Sequence, residues 1–237
     1  MKSTKNFFII LLLIILVIMY FFKEVSGNND TISNYVGRRS ISEYMTYEEV
    51  ASTLKELGIN GITDDTIKEL TDNSLDYPEG IIYNKFATML TTLGIGNYDY
   101  DNYTWTPGNN SVYSFDVEVY DIDEMYTLFL QGISSIGEGE LEFTNIIEDT
   151  SKVNWDYGSG KRSVSFDWNG TTYTLNAKMQ SDWFDVKVIK QLNKIIKKAN
   201  TGKKIYITFD DYQECIVFYR DSEWAKRFEK ETGMKLE

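Results

Sequence analysis

The stretch KIYITFDDYQECIVFYR, residues 204–220, decides how this chain is read. KIYITFD (204–210) and ECIVFYR (214–220) are two runs of β-formers joined by Asp211-Tyr212-Gln213, the pattern of a hairpin. In the second run Cys215, Val217 and Tyr219 share one face, and Glu214, Ile216, Phe218 and Arg220 share the other. Cys215, the only cysteine, therefore sits in mid-strand. Its charged neighbours Asp210, Asp211 and Glu214 are acidic and disfavour a thiolate. A packed, inert thiol is expected rather than a nucleophile.

Working outward, Asp221 or Ser222 caps a last helix with Trp224 and Phe228 as its apolar pair and Gly233 as its stop. Upstream, Asp182 is expected to cap a helix over 183–199. Val188, Ile189, Leu192, Ile195, Ile196 and Ala199 lie on one side of it. Lys187, Lys190, Lys194, Lys197 and Lys198 lie on the other, as a solvated face or an anion-docking stripe. RSVSFDWNGTTYTLNAKM (162–179) alternates about Asn169-Gly170, a preferred two-residue hairpin turn. ELEFTNIIED (140–149) reads as a strand and 123–136 as a helix. VYSFDVEVY (112–120) reads as a strand with Tyr113, Phe115, Val117 and Val119 on one face.

Before residue 94 the period is helical. TYEE (46–49) is a capping box, followed by Val50, Leu54 and Leu57 on one face and Gly58 as stop. Thr63 opens a second helix, and a third is expected from about Glu79 to Leu93. The turn Gly58-Ile59-Asn60-Gly61 is too short for a calcium loop. Residues 28–111 hold thirteen acids against five bases, which excludes a DNA-reading helix pair. GIGNYDYDNYTWTPGNN (94–110) reads as a connecting loop, and Tyr98, Tyr100, Tyr103 and Trp105 make it a candidate contact surface. Asp99 and Asp101 have calcium-like spacing, but no glutamate follows where a closing ligand belongs.

MKSTKNFFIILLLIILVIMYFFKEVSGNN opens with Lys2 and Lys5, then an unbroken apolar run over 7–22. At about 1.5 Å per residue the run nearly spans a hydrocarbon core, with Lys5 and Lys23 placed to snorkel. The leading lysines keep that end cytoplasmic and send the body across the membrane. Val25-Ser26-Gly27 is a passable cleavage site, but the bulky Tyr20-Phe21-Phe22 end favours an uncleaved anchor. The chain thus divides into a signal anchor (1–27), a tether (28–42), a helical module (43–96), an aromatic loop (97–111) and an α+β domain (112–237). The fold class expected is α+β: a transmembrane helix, a small helical module, then a mainly antiparallel sheet with packed helices.

The chain of 237 residues carries a net charge of −12 and no histidine. Triads, imidazole bases and cysteine–histidine zinc sites are therefore excluded. An acidic body argues against nucleic acid as a partner. No catalytic residue, cofactor or metal ligand stands out. The acid pairs Asp210-Asp211 and Asp182/Asp185 have turn and cap explanations.

The stretches VYSFDVEVY (112–120), DWFD (182–185), YQECIVFYR (212–220) and SEWAKRFEKETG (222–233) carry a resemblance, over about 80–237, to a group of uncharacterised exported, single-anchor proteins of Firmicutes. That resemblance implies a location and no mechanism. The function expected is a membrane-anchored extracytoplasmic binding protein, in one version an immunity-type protein. The alternatives are an envelope-assembly role and a carboxylate-dependent cell-envelope hydrolase. The expected partners are the bilayer, through residues 7–22, and a protein.

Overall fold

The alternating runs form antiparallel sheets, and the helical periods form short amphipathic helices packed on them. The computed structural model describes residues 41–74, 84–99, 101–102, 104–118, 124–210 and 212–237. Three helices come first: α1 (Tyr47–Glu56), α2 (Asp64–Ser74) and α3 (Lys85–Gly94). Two short strands, β1 (Asn97–Asp99) and β2 (Thr104–Thr106), precede β3 (Tyr113–Asp116) and α4 (Met125–Ser135). Then follow β4 (Thr144–Asn154), β5 (Ser159–Trp168), β6 (Thr171–Gln180) and α5 (Lys187–Ala199). The order closes with β7 (Lys203–Phe209), β8 (Glu214–Asp221) and α6 (Ser222–Thr232). The described part is α+β with antiparallel pairing throughout.

The hairpin at 204–220 is the centre of the fold. β8 lies between β3 and β7, so it has no free edge. Cys215, Val217 and Tyr219 enter one core with Ile205, Ile207, Phe129, Phe166 and Leu192. Ile216 and Phe218 enter another with Leu54, Phe86, Leu90 and Phe228. Both faces of β8 are thus buried, which explains its nearly continuous apolar run. The second core crosses the expected 97–111 boundary, because α1, α3 and α6 cover one face of the same sheet. Trp224 fastens this cover: its indole N–H donates to the Leu57 carbonyl at 2.7 Å, and its ring stacks on Phe228. Ser40–Glu237 form one compact unit.

The second sheet is the meander β4-β5-β6. Asn169 and Gly170 both have positive φ, and Trp168 pairs with Thr171 across them, the two-residue turn expected. α5 lies along an edge of each sheet. The Gln191 carboxamide bonds both backbone groups of Asn176 in β6, at 3.0 and 2.6 Å. The Asn193 carboxamide does the same for Ile205 in β7, at 2.8 Å each. Two strand edges are thereby closed by side chains in place of a further strand.

Several boundaries differ from the sequence reading. The helix expected over 183–199 starts at Lys187, and Asp182 does not cap it. Residues before it are held otherwise: Trp183 bridges to Glu118 and Gln180, and Phe184 is buried among Phe115, Tyr126 and Phe129. The strand expected over 140–149 runs instead from Thr144 to Asn154, because Leu141 and Phe143 fill the core ahead of it. The third helix begins after an Asn84 cap, and 79–83 lie outside the described residues. The 97–111 segment contains the β1–β2 hairpin. Among the described residues no helix is long and apolar enough to cross a membrane. The 7–22 run and the tether up to residue 40 lie outside them.

Candidate functional site

The aromatic half of the expected contact surface is partly accounted for by packing. Tyr98 and Trp105 face each other across β1 and β2, and both are half-buried. The Trp105 indole donates to the Ile95 carbonyl at 3.1 Å and meets Tyr113 edge-on at 5.7 Å, so it lids the first core. Tyr100 and Tyr103 lie outside the described residues. Asp99 closes its own turn: its carboxylate accepts from the Asp101 and Asn102 amides and the Asn102 side chain. Those bonds, the Asn102 side chain foremost, hold its carboxyl below the ordinary range.

Cys215 is fully buried. Burial first, then the charges of Glu214 and Glu237, push its thiol far above the ordinary range. Of the acid pairs, Asp211 lies outside the described residues, and Asp210 accepts from the Tyr212 and Glu214 amides as a turn cap. Asp185 is buried and satisfied by backbone, accepting from the Lys178 and Lys187 amides at 2.9 and 3.1 Å.

A carboxyl not singled out from sequence is Glu214. It pairs directly across from Asp116, and one of its oxygens is buried without a hydrogen bond. Burial foremost, then the charges of Asp116 and Asp210, push it up to about 7.

The lysine half of the expected surface is exposed. Lys187, Lys190, Lys194, Lys197 and Lys198 are all solvent-facing on α5, which carries no acidic residue. The structure adds a second set. Lys152 pairs with Lys161, and Lys161 pairs with Lys178, so three lysines form one row across β4, β5 and β6. All three are exposed. Like charges directly opposite each other on a sheet are destabilising. None of these eight amines has an ion-pair partner among the described residues.

A β-bulge creates the row. Between the pairs Asp149↔Ser163 and Lys152↔Lys161, β4 advances three residues while β5 advances two. Without the extra residue Ser151 would oppose Lys161 and Lys152 would turn to the other face. Gly160 permits the close approach there. It has φ +122, and a Cβ on it would lie 2.3 Å from the Lys152 carbonyl oxygen. Sequence alternation alone gives no sign of this register, so the row was missed.

Beneath the row lies a buried charge network. Arg162, beside Lys161 but facing inward, pairs with Glu148 at 2.5 Å; the two side chains are 1% and 7% exposed. Glu148 also accepts from the Thr127 amide at the start of α4. The Arg162 guanidinium sits 5.3 Å from the Tyr126 ring centre, and the Tyr126 hydroxyl accepts from the Asp185 amide. Asp185 in turn holds the backbones of Lys178 and Lys187. The row on β4–β6 and the start of α5 are therefore locked together from below. A cluster of exposed amines held by a rigid base sets up a local positive field in an otherwise acidic chain. No protein-family model, curated protein or solved structure matches the chain.

Proposed function

We propose that this chain is a membrane-anchored extracytoplasmic binding protein, held in the cell membrane by residues 7–22, whose contact surface is the lysine face of α5 and the β4–β6 sheet. The observation that carries this reading is charge segregation. Residues 150–200 hold nine Lys and Arg against four Asp in a chain of net charge −12. Eight of those nine are the exposed amines that have no ion-pair partner among the described residues. Clustered like charge costs stability, and function is the ordinary reason to retain it. The ligand is anionic where it meets this face. Protease added to intact, wall-less cells should remove the body and leave a fragment containing 7–22. A soluble mature form beginning near Asn28 would refute the anchor. Pull-down from membranes with the anchor intact tests the binding role.

A second reading, a carboxylate-dependent cell-envelope hydrolase, has one observation in its favour. Glu214 is pushed up to about 7 opposite Asp116, and a carboxyl raised toward neutrality can serve as a general acid. Glu214→Gln abolishing turnover of cell-wall glycan by the purified chain would establish it.

A further inference from the structure

Taking the binding-protein reading as its base, we infer that the lysine row and the adjoining β4–β5 tip form a docking face for the surface of an anionic lipid bilayer. The row Lys152–Lys161–Lys178 crosses three strands spaced about 4.8 Å apart. Asp185, bonded to both the Lys178 and Lys187 amides, brings the start of α5 against the last of them. The result is a cross-strand row of three exposed lysines with a fourth, Lys187, tied to its end through the backbone. Two pairs beyond Lys152↔Lys161 the strands end at Asn154↔Ser159. The tip there carries Trp155 and Tyr157, exposed by 45% and 81%. The tip is a capped 3-10 turn: Asn154 accepts from the Tyr157 amide, and Gly158 takes the left-handed conformation. The aromatics are thus presented by a defined turn.

Amines alone would fit any polyanion. Exposed Trp and Tyr next to lysines narrow the choice, because amphipathic rings partition to the headgroup level while amines meet lipid phosphates. Acids on this face are outnumbered near the tip: Asp156 lies between the two aromatics, Asp149, which accepts from the Ser151 amide at 2.9 Å, stands beside Lys152, and Asp167 lies at the far end of the sheet. The rest of the acidic body is repelled by an anionic membrane, so only this face approaches it, and docking fixes the orientation of the body.

The test uses the full chain in nanodiscs of phosphatidylcholine alone or mixed with phosphatidylglycerol, with amine acetylation read residue by residue. Retention on pure phosphatidylcholine discs reports the anchor. In phosphatidylglycerol discs, labelling at Lys152, Lys161, Lys178 and Lys187 should slow by about fivefold per site, and high salt should restore it. Lys55 and Lys226, exposed elsewhere, should not change. Brominated lipid should quench Trp155 emission, read as the difference from Trp155→Phe, only in the anionic discs. The triple change Lys152→Gln, Lys161→Gln, Lys178→Gln should abolish the slowing at the remaining Lys187 and the quenching of Trp155. Equal labelling in the two discs overturns the lipid proposal. If the amines are then shielded on native membranes, the face binds an acidic protein and the binding reading stands. If they label freely there too, both fail.

Discussion

The two three-stranded sheets are built alike and covered differently. Both are antiparallel, one ordered β3-β8-β7 and the other β4-β5-β6. The first has helices on one face and the large core on the other, and its middle strand is apolar on both sides. The second packs one face inward through Val164, Phe166, Leu175 and Ala177 and leaves the other bare. Its outer rows are Thr144–Asp167–Thr172, Ile147–Ser165–Thr174, Asp149–Ser163–Asn176 and the lysines. A sheet covered on both sides makes a scaffold. A sheet covered on one side has a face left over, whose residues packing does not dictate.

The contrast can be broken most forcefully at β8. Phe218→Ala should destabilise by about 3–5 kcal/mol, measured by denaturant unfolding, since Phe218 is fully buried between Trp224 and Phe228. For the same reason a fragment spanning 112–237 should bind hydrophobic dye and lack a cooperative transition, because Ile216, Phe218 and Phe228 lose the cover of α1 and α3. Arg162→Ala should cost a similar amount, about 3–5 kcal/mol, by stranding Glu148. Pairing Arg162→Met with Glu148→Leu should recover most of it, because the charge left unpaired is then gone.

Cys215→Ser should cost about 1–3 kcal/mol by placing a hydroxyl in an apolar site. Cys215→Val should be milder, and thiol reagents should label the folded protein far more slowly than the unfolded one. A fast-labelling native thiol would contradict the buried β8.

Glu214 gives a pH test. Its carboxyl is raised from 4.5 to about 7 in the folded protein, so the folded state binds the extra proton between those values. Its contribution is most favourable below about 4.5 and is lost as pH rises through about 7. Glu214→Gln should flatten that decline by about 1–2 kcal/mol, allowing for solvent screening. The smallest effect belongs to the bare sheet. Lys161→Thr should stabilise by about 0.2–1 kcal/mol, by relieving like charges on both sides. A destabilised Lys161→Thr would mean that the row is structural.

Local chemistry reported what depends on neighbours along the chain. The Thr46–Glu49 capping box, the Asn169-Gly170 turn, the Asp221 cap and the αL Gly233 all formed where the residues indicated. So did the two-faced pattern of ECIVFYR and the burial of Cys215. These are set by propensity, periodicity and φ preference, which act over a few residues. The start of α5 was misplaced because Phe184 is drawn into an aromatic cluster that no local signal encodes. The α5 lysines were legible as a helical stripe, but their continuation through Lys178, Lys161 and Lys152 was not. That row exists only because one extra residue in β4 turns Lys152 outward, and because strands distant in sequence fall into register. The raised Glu214 likewise comes from burial foremost and then from Asp116 opposite it, ninety-eight positions away in the chain. Sequence by itself determined the type of most segments and which faces are apolar, the β1–β2 hairpin and the ends of β4 and α5 excepted. Tertiary structure alone decided which charges meet, because pairing register is a property of two strands and is written in neither.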